Sequence, residues 1–311
     1  MIRNLVKEEK VDFLAIQETK LEVVNDVLCY TIWGGEDCSW VFLPSVGNSG
    51  GILSIWRKSI SSLVYSFIGD GYVGVCLDWG TQKKRCFVVN VYSKCDLASK
   101  RRLWEALRMS KGGFGGGAWC VIGDFNAVIQ LDERRGVNSQ GLLDVSLESC
   151  EFNNLVTDME LMDLPVLGRK FTWFHPNGRA MSRIDRAMVS EEWVNFWGLS
   201  SLWVLPRSVS DHCPLILRSG NVDWGPRPFR FNNHWLQNKD FKSLVEDSWR
   251  GQEVVGWMGF ILKEKLKGLK ACIKVWNKEV YGGVDTKINN LVEDINELDV
   301  RGELGILSEE E

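Results

Sequence analysis

The chain has 311 residues, of which 45% are hydrophobic and 25% are charged, and its formal net charge is −4 at pH 7. These values are typical of a folded globular protein and exclude an intrinsically disordered chain. The negative net charge also argues against a generic nucleic-acid-binding protein, which would usually be basic.

The cysteines and the apolar runs indicate the compartment. The nine cysteines are odd in number and form no C-x-x-C pair, which argues against a zinc site and against a disulfide framework. No apolar run reaches the roughly 18 residues of a membrane helix, and residues 1–12 are too charged for a signal peptide. We expect a protein of a reducing compartment, nuclear or cytoplasmic, that is not secreted and has no membrane partner.

The first 92 residues read as a helix followed by short strands. Residues 2–9 predict the end of an amphipathic helix, and residues 11–18 predict a strand that ends in the carboxylate of Glu18. Residues 73–79 and 85–92 predict a hairpin. Other short strands are predicted at residues 30–33, 41–43, 51–56 and 63–68.

The middle of the chain alternates helices and strands. Residues 97–109 and 144–161 predict helices with one apolar face. The glycine-rich tract 112–117 lacks the lysine and the following helix of a phosphate loop, so it predicts a flexible connector. Further strands are predicted at residues 170–174, 183–189 and 215–217.

The apolar run of residues 119–122 is followed by Gly123, Asp124 and Asn126. If the strand geometry persists, Asp124 and Asn126 point the same way, and together they can bind a hard cation and hold a water. The alternative is a plain turn, because Asp and Asn favour turns for backbone reasons. Short strands in two batches, each followed by a helix, predict two sheets flanked by helices, with a site where the strand ends converge.

Four motifs lie at or near these strand ends. They are Gln17-Glu18-Thr19-Lys20, Gly123-Asp124-Phe125-Asn126, Ser182-Arg183-Ile184-Asp185-Arg186 and Ser210-Asp211-His212-Cys213-Pro214. In order and spacing they resemble the motifs of the exonuclease-endonuclease-phosphatase superfamily. The resemblance implies a four-layered α/β sandwich, in which two mixed β-sheets are flanked by helices.

Other segments look like the endonuclease region of plant LINE-type non-LTR retrotransposon polyproteins, over about residues 1–281. That resemblance implies an enzyme that nicks DNA to prime reverse transcription. The segments are Phe171-Thr172-Trp173, Met181 to Arg186, Ser190-Glu191-Glu192-Trp193 and Pro228-Phe229-Arg230-Phe231.

The resemblance also implies roles in phosphodiester hydrolysis. Asp124 would accept the proton of the attacking water, which Asn126 orients. His212 would hydrogen-bond the scissile phosphate while Asp185 orients its ring, and Tyr92 would contact the phosphate. Taken singly, the tyrosine and the histidine could equally be structural.

The same resemblance assigns the metal and substrate contacts. Glu18 would bind Mg²⁺, with Mn²⁺ as an alternative, and Asp211 would serve the metal or the leaving group. These carboxylates, with Asp124, Asp185 and His212, are expected to converge on one cleft. The locally positive region 169–186 is either a solvated loop or a DNA contact, and from it we predict that Arg183 and Arg186 bind the substrate.

The C-terminal region has a different pattern. Apolar residues recur at spacings of three and four between residues 262 and 280 and again between 288 and 298, which predicts an antiparallel helical hairpin with a coiled-coil-like seam. The lysines of its first helix read as a solvated face or as a contact for retroelement RNA.

We predict an endonuclease/exonuclease/phosphatase-like domain over residues 1–220. Residues 221–311 would be a linker and hairpin that lead toward an absent reverse transcriptase.

In one respect the sequence departs from the resembling family, which begins with a Ser-Trp-Asn-x-x-Gly strand upstream of the glutamate motif. The sequence starts at Met1 without it. We therefore expect an N-terminally truncated fragment with weak or absent nicking, restored by the upstream strand. Two alternatives to a DNA endonuclease remain open. One is a superfamily phosphatase that acts on inositol phosphates or lipids, and the other is a non-catalytic remnant.

Overall fold

The computed structural model describes residues 2–47, 49–136, 142–219, 233–280 and 282–304. It divides into two compact units, residues 1–220 with 295–311 and residues 221–294. The helices are α1 (Ile2–Glu8), α2 (Asp26–Trp33), α3 (Leu97–Phe114), α4 (Leu142–Asp158), α5 (Glu191–Trp197), α6 (Phe241–Arg250), α7 (Met258–Val280) and α8 (Gly282–Leu304).

The strands are short, and most of them belong to the first unit's sheets. They are β1 (Phe13–Gln17), β2 (Ser39–Val46), β3 (Ser49–Trp56), β4 (Ser61–Gly69), β5 (Tyr72–Trp79), β6 (Lys84–Tyr92), β7 (Ala118–Asp124), β8 (Arg134–Arg135), β9 (Met162–Asp163), β10 (Val166–Leu167), β11 (Trp173–Phe174), β12 (Met181–Ser182), β13 (Asp185–Val189), β14 (Ser200–Val204) and β15 (Leu215–Ser219).

The first unit is built on a six-stranded mixed sheet with the order β4-β5-β6-β7-β13-β9. Only the central β6 and β7 are parallel, and the other neighbours are antiparallel. Trp104 of α3 and Phe152 of α4 pack on one face of this sheet. On the other face lie the sheet β1-β3-β2, through Trp56, and the sheet β10-β14-β15, through Leu202.

Helices α1 and α2 cover the outer side of the sheet β1-β3-β2. Val6 of α1 and Trp33 of α2 pack against Leu53 and Ile55 of β3. The layers are therefore helix, sheet, sheet and helix, which confirms the predicted α/β sandwich. The second sheet layer is divided into two three-stranded sheets.

Asn90 of β6 joins the two sheet layers. Its side chain is fully buried, and its Nδ2 donates to the backbone oxygen of Leu53 at 3.1 Å while its Oδ1 accepts from the side chain of Gln17. A buried amide satisfied in this way fixes β1 and β3 against β6. Glu18, which follows β1, is therefore held beside Tyr92 at the end of β6.

Some predicted elements differ from the structure. Residues 30–33, predicted as a strand from their aromatic and β-branched side chains, end helix α2. The Asn25 side chain caps α2 by accepting from Leu28 N at 3.0 Å, and Gly34 terminates it at φ 90°. These caps outweigh the strand propensity. The predicted glycine connector is shorter, because α3 continues to Phe114.

The C-terminal helices are present where the periodicity predicted them. In the second unit, Ile273 and Trp276 of α7 pack against Trp235 and against Phe241 of α6. The side chains of residues 282–289 lie outside the described part of the chain, so the predicted seam with α8 stays a prediction. The Pro228-Phe229-Arg230-Phe231 motif lies outside the described residues. Within the described ranges, no helix is both long and apolar enough to span a membrane.

The last turns of α8 belong to the first unit. Asp299 is 5% exposed and accepts hydrogen bonds from Arg169 and Arg207, whose guanidinium groups lie over the ring of Phe174. Nearby, the Glu303 carboxylate accepts from the backbone of residues 170 and 171. The hydrogen bonds of Asp299 and Glu303 fix the loops that precede β11 and β15.

Gly123 is expected to be irreplaceable at the exit of β7. Its φ is +136°, and a Cβ atom there would lie 2.0 Å from the backbone oxygen of Val91 on the neighbouring strand. Gly123→Ala should therefore lower the free energy of unfolding by about 2 to 3 kcal/mol, measured by urea denaturation.

The matched control for that variant is Gly112→Ala in α3, where a Cβ atom would meet nothing within 4 Å. Removing a helical glycine there should stabilise the protein by about 0.5 to 1 kcal/mol. Equal unfolding free energies for the two variants would contradict the proposed steric cause.

Candidate active site

Three adjacent strands place polar side chains in one row at the end of the central sheet. Tyr92 of β6 is the register partner of Asp124 of β7, which is in turn the partner of Asp185 of β13. Register partners on neighbouring strands project from the same face of a sheet. Asp124 and Asp185 are only 4% and 6% exposed, so the row holds two buried carboxyl groups side by side.

The turn after β7 fixes the carboxyl group of Asp124. The backbone N–H of Asn126 donates to Oδ1 of Asp124 at 2.8 Å, and its Nδ2 donates to Oδ2 at 3.2 Å and to the backbone oxygen of Ser93 at 2.7 Å. Asn126 has φ 49°, a left-handed conformation that asparagine tolerates better than most residues. Asp124 and Asn126 therefore form one hydrogen-bonded group, although the strand geometry on which the sequence expectation depended ends at Asp124.

The environment of Asp124 raises its pKa to about 7. Burial is the largest cause, and the neighbouring charge of Asp185 adds to it. The positive charge of His212 and the backbone hydrogen bond from Asn126 act in the opposite direction. A carboxyl group that titrates near neutral pH is suited to accept a proton.

His212 lies across the row from Asp124 and contacts Asp185. Its Nδ1 is 3.0 Å from each carboxylate oxygen of Asp185, which is the geometry required of a pair in which the aspartate orients the ring. Burial alone would lower the pKa of His212, but the hydrogen bond and charge of Asp185, followed by the charges of Asp124 and Asp211, raise it to about 9. The ring is therefore an imidazolium at neutral pH.

Thr172 holds both members of this pair, and the sequence analysis assigned it no role. Its fully buried hydroxyl accepts the backbone N–H groups of Ile184 and Asp185 at 3.2 and 3.1 Å. Its carbonyl oxygen accepts the N–H of Cys213, next to His212, at 2.7 Å. The Phe-Thr-Trp segment was visible in the sequence, but only the fold shows that its threonine spans the two strand ends.

Glu18 and Tyr92 meet at the exposed side of the row. The Tyr92 hydroxyl donates to Oε1 of Glu18 at 2.6 Å. Burial, followed by the hydrogen bond to Glu18, raises the pKa of Tyr92, so the phenol stays protonated. Glu18 has φ 49°, a strained conformation that directs an exposed carboxylate away from the end of β1.

Asp211 lies on the other side of His212. It is exposed, and its Oδ2 accepts from Nε1 of Trp173 at 2.9 Å. Trp173 also forms a β-bridge with His212, so the indole and the backbone together place Asp211 beside the imidazolium. All seven residues predicted as catalytic or metal-binding are thus gathered around the ends of β1, β6, β7 and β13.

Two groups of side chains are candidates for a divalent cation. Asp124, Asp185 and His212 have ligand atoms within 4.8 Å of one another. In this structure Asp124 accepts hydrogen bonds from Asn126, and Asp185 is hydrogen-bonded to His212. Glu18 and Asp211 instead offer exposed carboxylate oxygens, which fit a hard cation that keeps most of its waters.

The structure places Arg183 and Arg186, which were predicted to bind the substrate, in internal ion pairs. Arg186 is 1% exposed, and its guanidinium donates to the carboxylates of Glu133 and Asp163. Arg183 is bound by the same two carboxylates and by the backbone oxygen of Leu164. These internal contacts hold both arginines beside Glu133 and Asp163, and Arg186 is buried there.

Residues 1–212 match the profile of the Endonuclease/Exonuclease/phosphatase family. The chain belongs to this family. Its members' hydrolase chemistry agrees with a site that has a proton acceptor, an imidazolium and exposed carboxylates at one sheet end. Comparison with curated proteins finds no significant match.

Solved structures share the family fold. The AP endonuclease LMAP from Leishmania major is 16% identical with a TM-score of 0.54, over 71% of this chain and 82% of that chain. The endonuclease domain of TRAS1, a telomere-specific non-LTR retrotransposon, is 12% identical with a TM-score of 0.51, over 70% and 90%. The 3′ phosphatase NExo from Neisseria, bound to product DNA hairpin, is 20% identical with a TM-score of 0.53, over 72% and 93%.

Proposed function

We propose that this family member is a Mg²⁺-dependent DNA endonuclease of a plant LINE-type non-LTR retroelement. The observation that carries the proposal is geometric: Asp124, Asp185 and His212 meet at one sheet end with ligand atoms within 4.8 Å of one another. In this arrangement the pKa of Asp124 is raised to about 7 and that of His212 to about 9. A carboxyl group that can lose its proton near neutral pH and an imidazolium that keeps its proton there are suited to act as base and acid, respectively.

Asp124 performs the first proton transfer. Asn126 donates to both of its oxygens and fixes the carboxylate direction, which leaves the remaining lone pairs to accept a proton from water. The water oxygen attacks the phosphorus atom while its proton passes to Asp124. The burial of this carboxyl group limits competing water and strengthens its electrostatic interactions with the attacking water.

His212 stabilises the negative charge that develops on the phosphoryl oxygens. Asp185 occupies its Nδ1, so Nε2–H remains to donate to the phosphate or to protonate the departing oxygen. Glu18 and Asp211 would hold Mg²⁺, or Mn²⁺, whose charge would further stabilise those oxygens. Tyr92 acts through Glu18, since its hydroxyl already donates to that carboxylate.

DNA is the proposed substrate because two of the similar structures are named as endonucleases and a third is bound to a DNA hairpin. The retroelement assignment is supported by the Phe171-Thr172-Trp173 and Pro228 to Phe231 segments. A phosphatase acting on inositol phosphates or lipids would use the same proton chemistry but has no reason to carry these segments.

The test is nicking of supercoiled plasmid by the purified chain with Mg²⁺, Mn²⁺ or EDTA. We expect slow conversion to open circles that needs the metal and is lost in Asp124→Ala. Release of phosphate from inositol phosphates without nicking would replace the proposal with the phosphatase alternative. Nicking no faster than that of Asp124→Ala would favour the non-catalytic remnant and contradict the proposal.

The pH dependence of hydrolysis is expected to be bell-shaped. Asp124 must lose its proton to act as base, so kcat/KM should rise as the pH increases through about 7. His212 must keep its proton, so kcat/KM should fall as the pH increases through about 9. Initial rates between pH 5 and pH 10 at about constant ionic strength would measure both limbs. Activity that is highest at acidic pH would contradict these assignments.

A further inference from the structure

Lys100 is a buried cation behind the Asp124–Asn126 turn. Its side chain is 2% exposed in α3, and its Nζ donates to the backbone oxygen of Asn126 at 2.7 Å and to the carboxylate of Glu148 in α4. A lysine is almost never fully buried unless it is paired, because an ammonium group loses much of its hydration energy. Glu148 supplies the paired charge that such burial requires. The second hydrogen bond, to Asn126 of the candidate active site, is the feature that points to a functional role.

The hydrogen bond from Lys100 to Asn126 bears on the geometry of Asp124. Asn126 has φ 49°, and its peptide carries the N–H that fixes Oδ1 of Asp124. The side chain of Asn126 is held by Ser93 and Asp124, while its carbonyl is held from the opposite side by Lys100. The hydrogen bond from the Lys100 ammonium group therefore fixes the carbonyl group of Asn126, which has a left-handed backbone conformation.

We propose that Lys100 is a positioning residue for Asp124 and Asn126, with Glu148 as the counter-ion that makes its burial tolerable. The inference rests on the proposed hydrolytic function. In this account, Lys100 never touches the substrate. It keeps Asn126 in the one conformation that directs the Asp124 carboxylate toward the attacking water.

The rival explanation is that Lys100 merely links α3 to α4, and the chain contains a matched control for it. Arg101, the next residue, forms a bidentate ion pair with Glu151 between the same two helices. Its side chain is 52% exposed, and none of its described hydrogen bonds reaches the active-site turn. Arg101→Met removes an α3–α4 link of the same kind without touching Asn126.

The test compares Lys100→Met, Lys100→Met with Glu148→Met, and Arg101→Met. Lys100→Met removes the hydrogen-bond partner of Glu148, which keeps only a 3.8 Å ion pair with Arg134, and should lower both Tm and kcat. The double variant also removes this poorly paired carboxylate and should recover most of the Tm. We expect kcat for Mg²⁺-dependent hydrolysis to stay about 10- to 100-fold below wild type in the double variant, with KM changed less than about 2-fold, because a small misplacement of a reacting group costs rate more than binding. Arg101→Met should keep wild-type kcat.

Amide hydrogen exchange of Asn126 gives a readout that needs no activity. We expect the Asn126 N–H to exchange faster in both Lys100 variants and at the wild-type rate in Arg101→Met. Recovery of kcat together with Tm in the double variant would overturn the positioning role, as would an unchanged exchange rate at Asn126. If the wild-type protein hydrolyses no substrate, the proposed function fails, and the exchange rates still decide whether Lys100 orders the turn.

Discussion

Replacing Asp124 by asparagine is expected to lower kcat/KM for phosphodiester hydrolysis by about 10²- to 10⁴-fold, the usual contribution of a general base. The amide has nearly the same shape as the carboxyl group, so the row between Tyr92 and Asp185 keeps its packing. An amide oxygen is too weak a base to take the proton of water. Steady-state kinetics at about pH 8, where the wild-type carboxyl group is ionised, would measure the loss.

The same substitution should not destabilise the fold. Because burial raises the pKa of Asp124 to about 7, the ionised form is unfavourable in the folded protein at neutral pH, and a neutral side chain avoids that penalty. The amide nitrogen replaces one of the two oxygens that accept from Asn126, so the loss of that hydrogen bond opposes the gain. We therefore expect Tm to change little while activity is lost, which is the behaviour of a functional rather than a structural residue.

The control for this variant is Asp78→Asn, in β5 of the same sheet. Asp78 pairs with Arg85 on the neighbouring strand and is not among the residues gathered at the site. Its loss should leave kcat/KM unchanged. If Asp124→Asn kept activity within about 3-fold of wild type, or lost activity only in parallel with Tm, the assignment of Asp124 as the base would be wrong.

The candidate site was predictable from the sequence where its residues stand at strand ends. Asp124 follows the apolar run 119–122, and Asp185 stands shortly before the apolar segment 187–189. Because β7 and β13 pair antiparallel, the end of one strand and the start of the other lie at one edge. Glu18 and His212 were placed by their motifs. The 3.0 Å contact between His212 and Asp185 is the geometry expected from those motifs.

The residues whose environment the sequence did not reveal depend on partners far along the chain. Arg183 and Arg186 look like a positive surface because their carboxylate partners, Glu133 and Asp163, are not nearby in the sequence. Lys100 likewise looks like one more helix lysine, since Glu148 and the Asn126 carbonyl meet it only after α3 and α4 have packed. Charge alone cannot distinguish a buried cation from a solvated one, because burial is a property of the tertiary structure.

The strand predicted over residues 30–33 from residue propensity is a helix for a related reason. The segment that ends α2 contains Tyr30, Ile32 and Trp33, which favour strands, yet the cap at Asn25 and the left-handed Gly34 fix a helix. The apolar face of that helix is then buried on β3. Caps and packing together exceed the difference of about 1 kcal/mol that separates strand propensities.

Asp185→Asn is expected to impair catalysis through His212 and to change its pH dependence. The hydrogen bond and charge of Asp185 are the largest effects that raise the pKa of His212 to about 9, so their removal lowers that pKa toward or below the ordinary value of 6.5. The ring is then mostly neutral at pH 8 and no longer stabilises the phosphoryl charge. We expect kcat/KM at that pH to fall by about 10²- to 10³-fold and the alkaline limb to move to lower pH.

The two residues should behave as one unit. His212→Gln removes the imidazolium outright, so adding Asp185→Asn to it should cost little more than His212→Gln alone, since an orienting residue has no effect without the ring it orients. Titration of the His212 ring by NMR would report the pKa directly, and comparison of the single and double variants would report the coupling. Fully additive losses, or an alkaline limb that stays near pH 9 in Asp185→Asn, would show that Asp185 acts independently of His212.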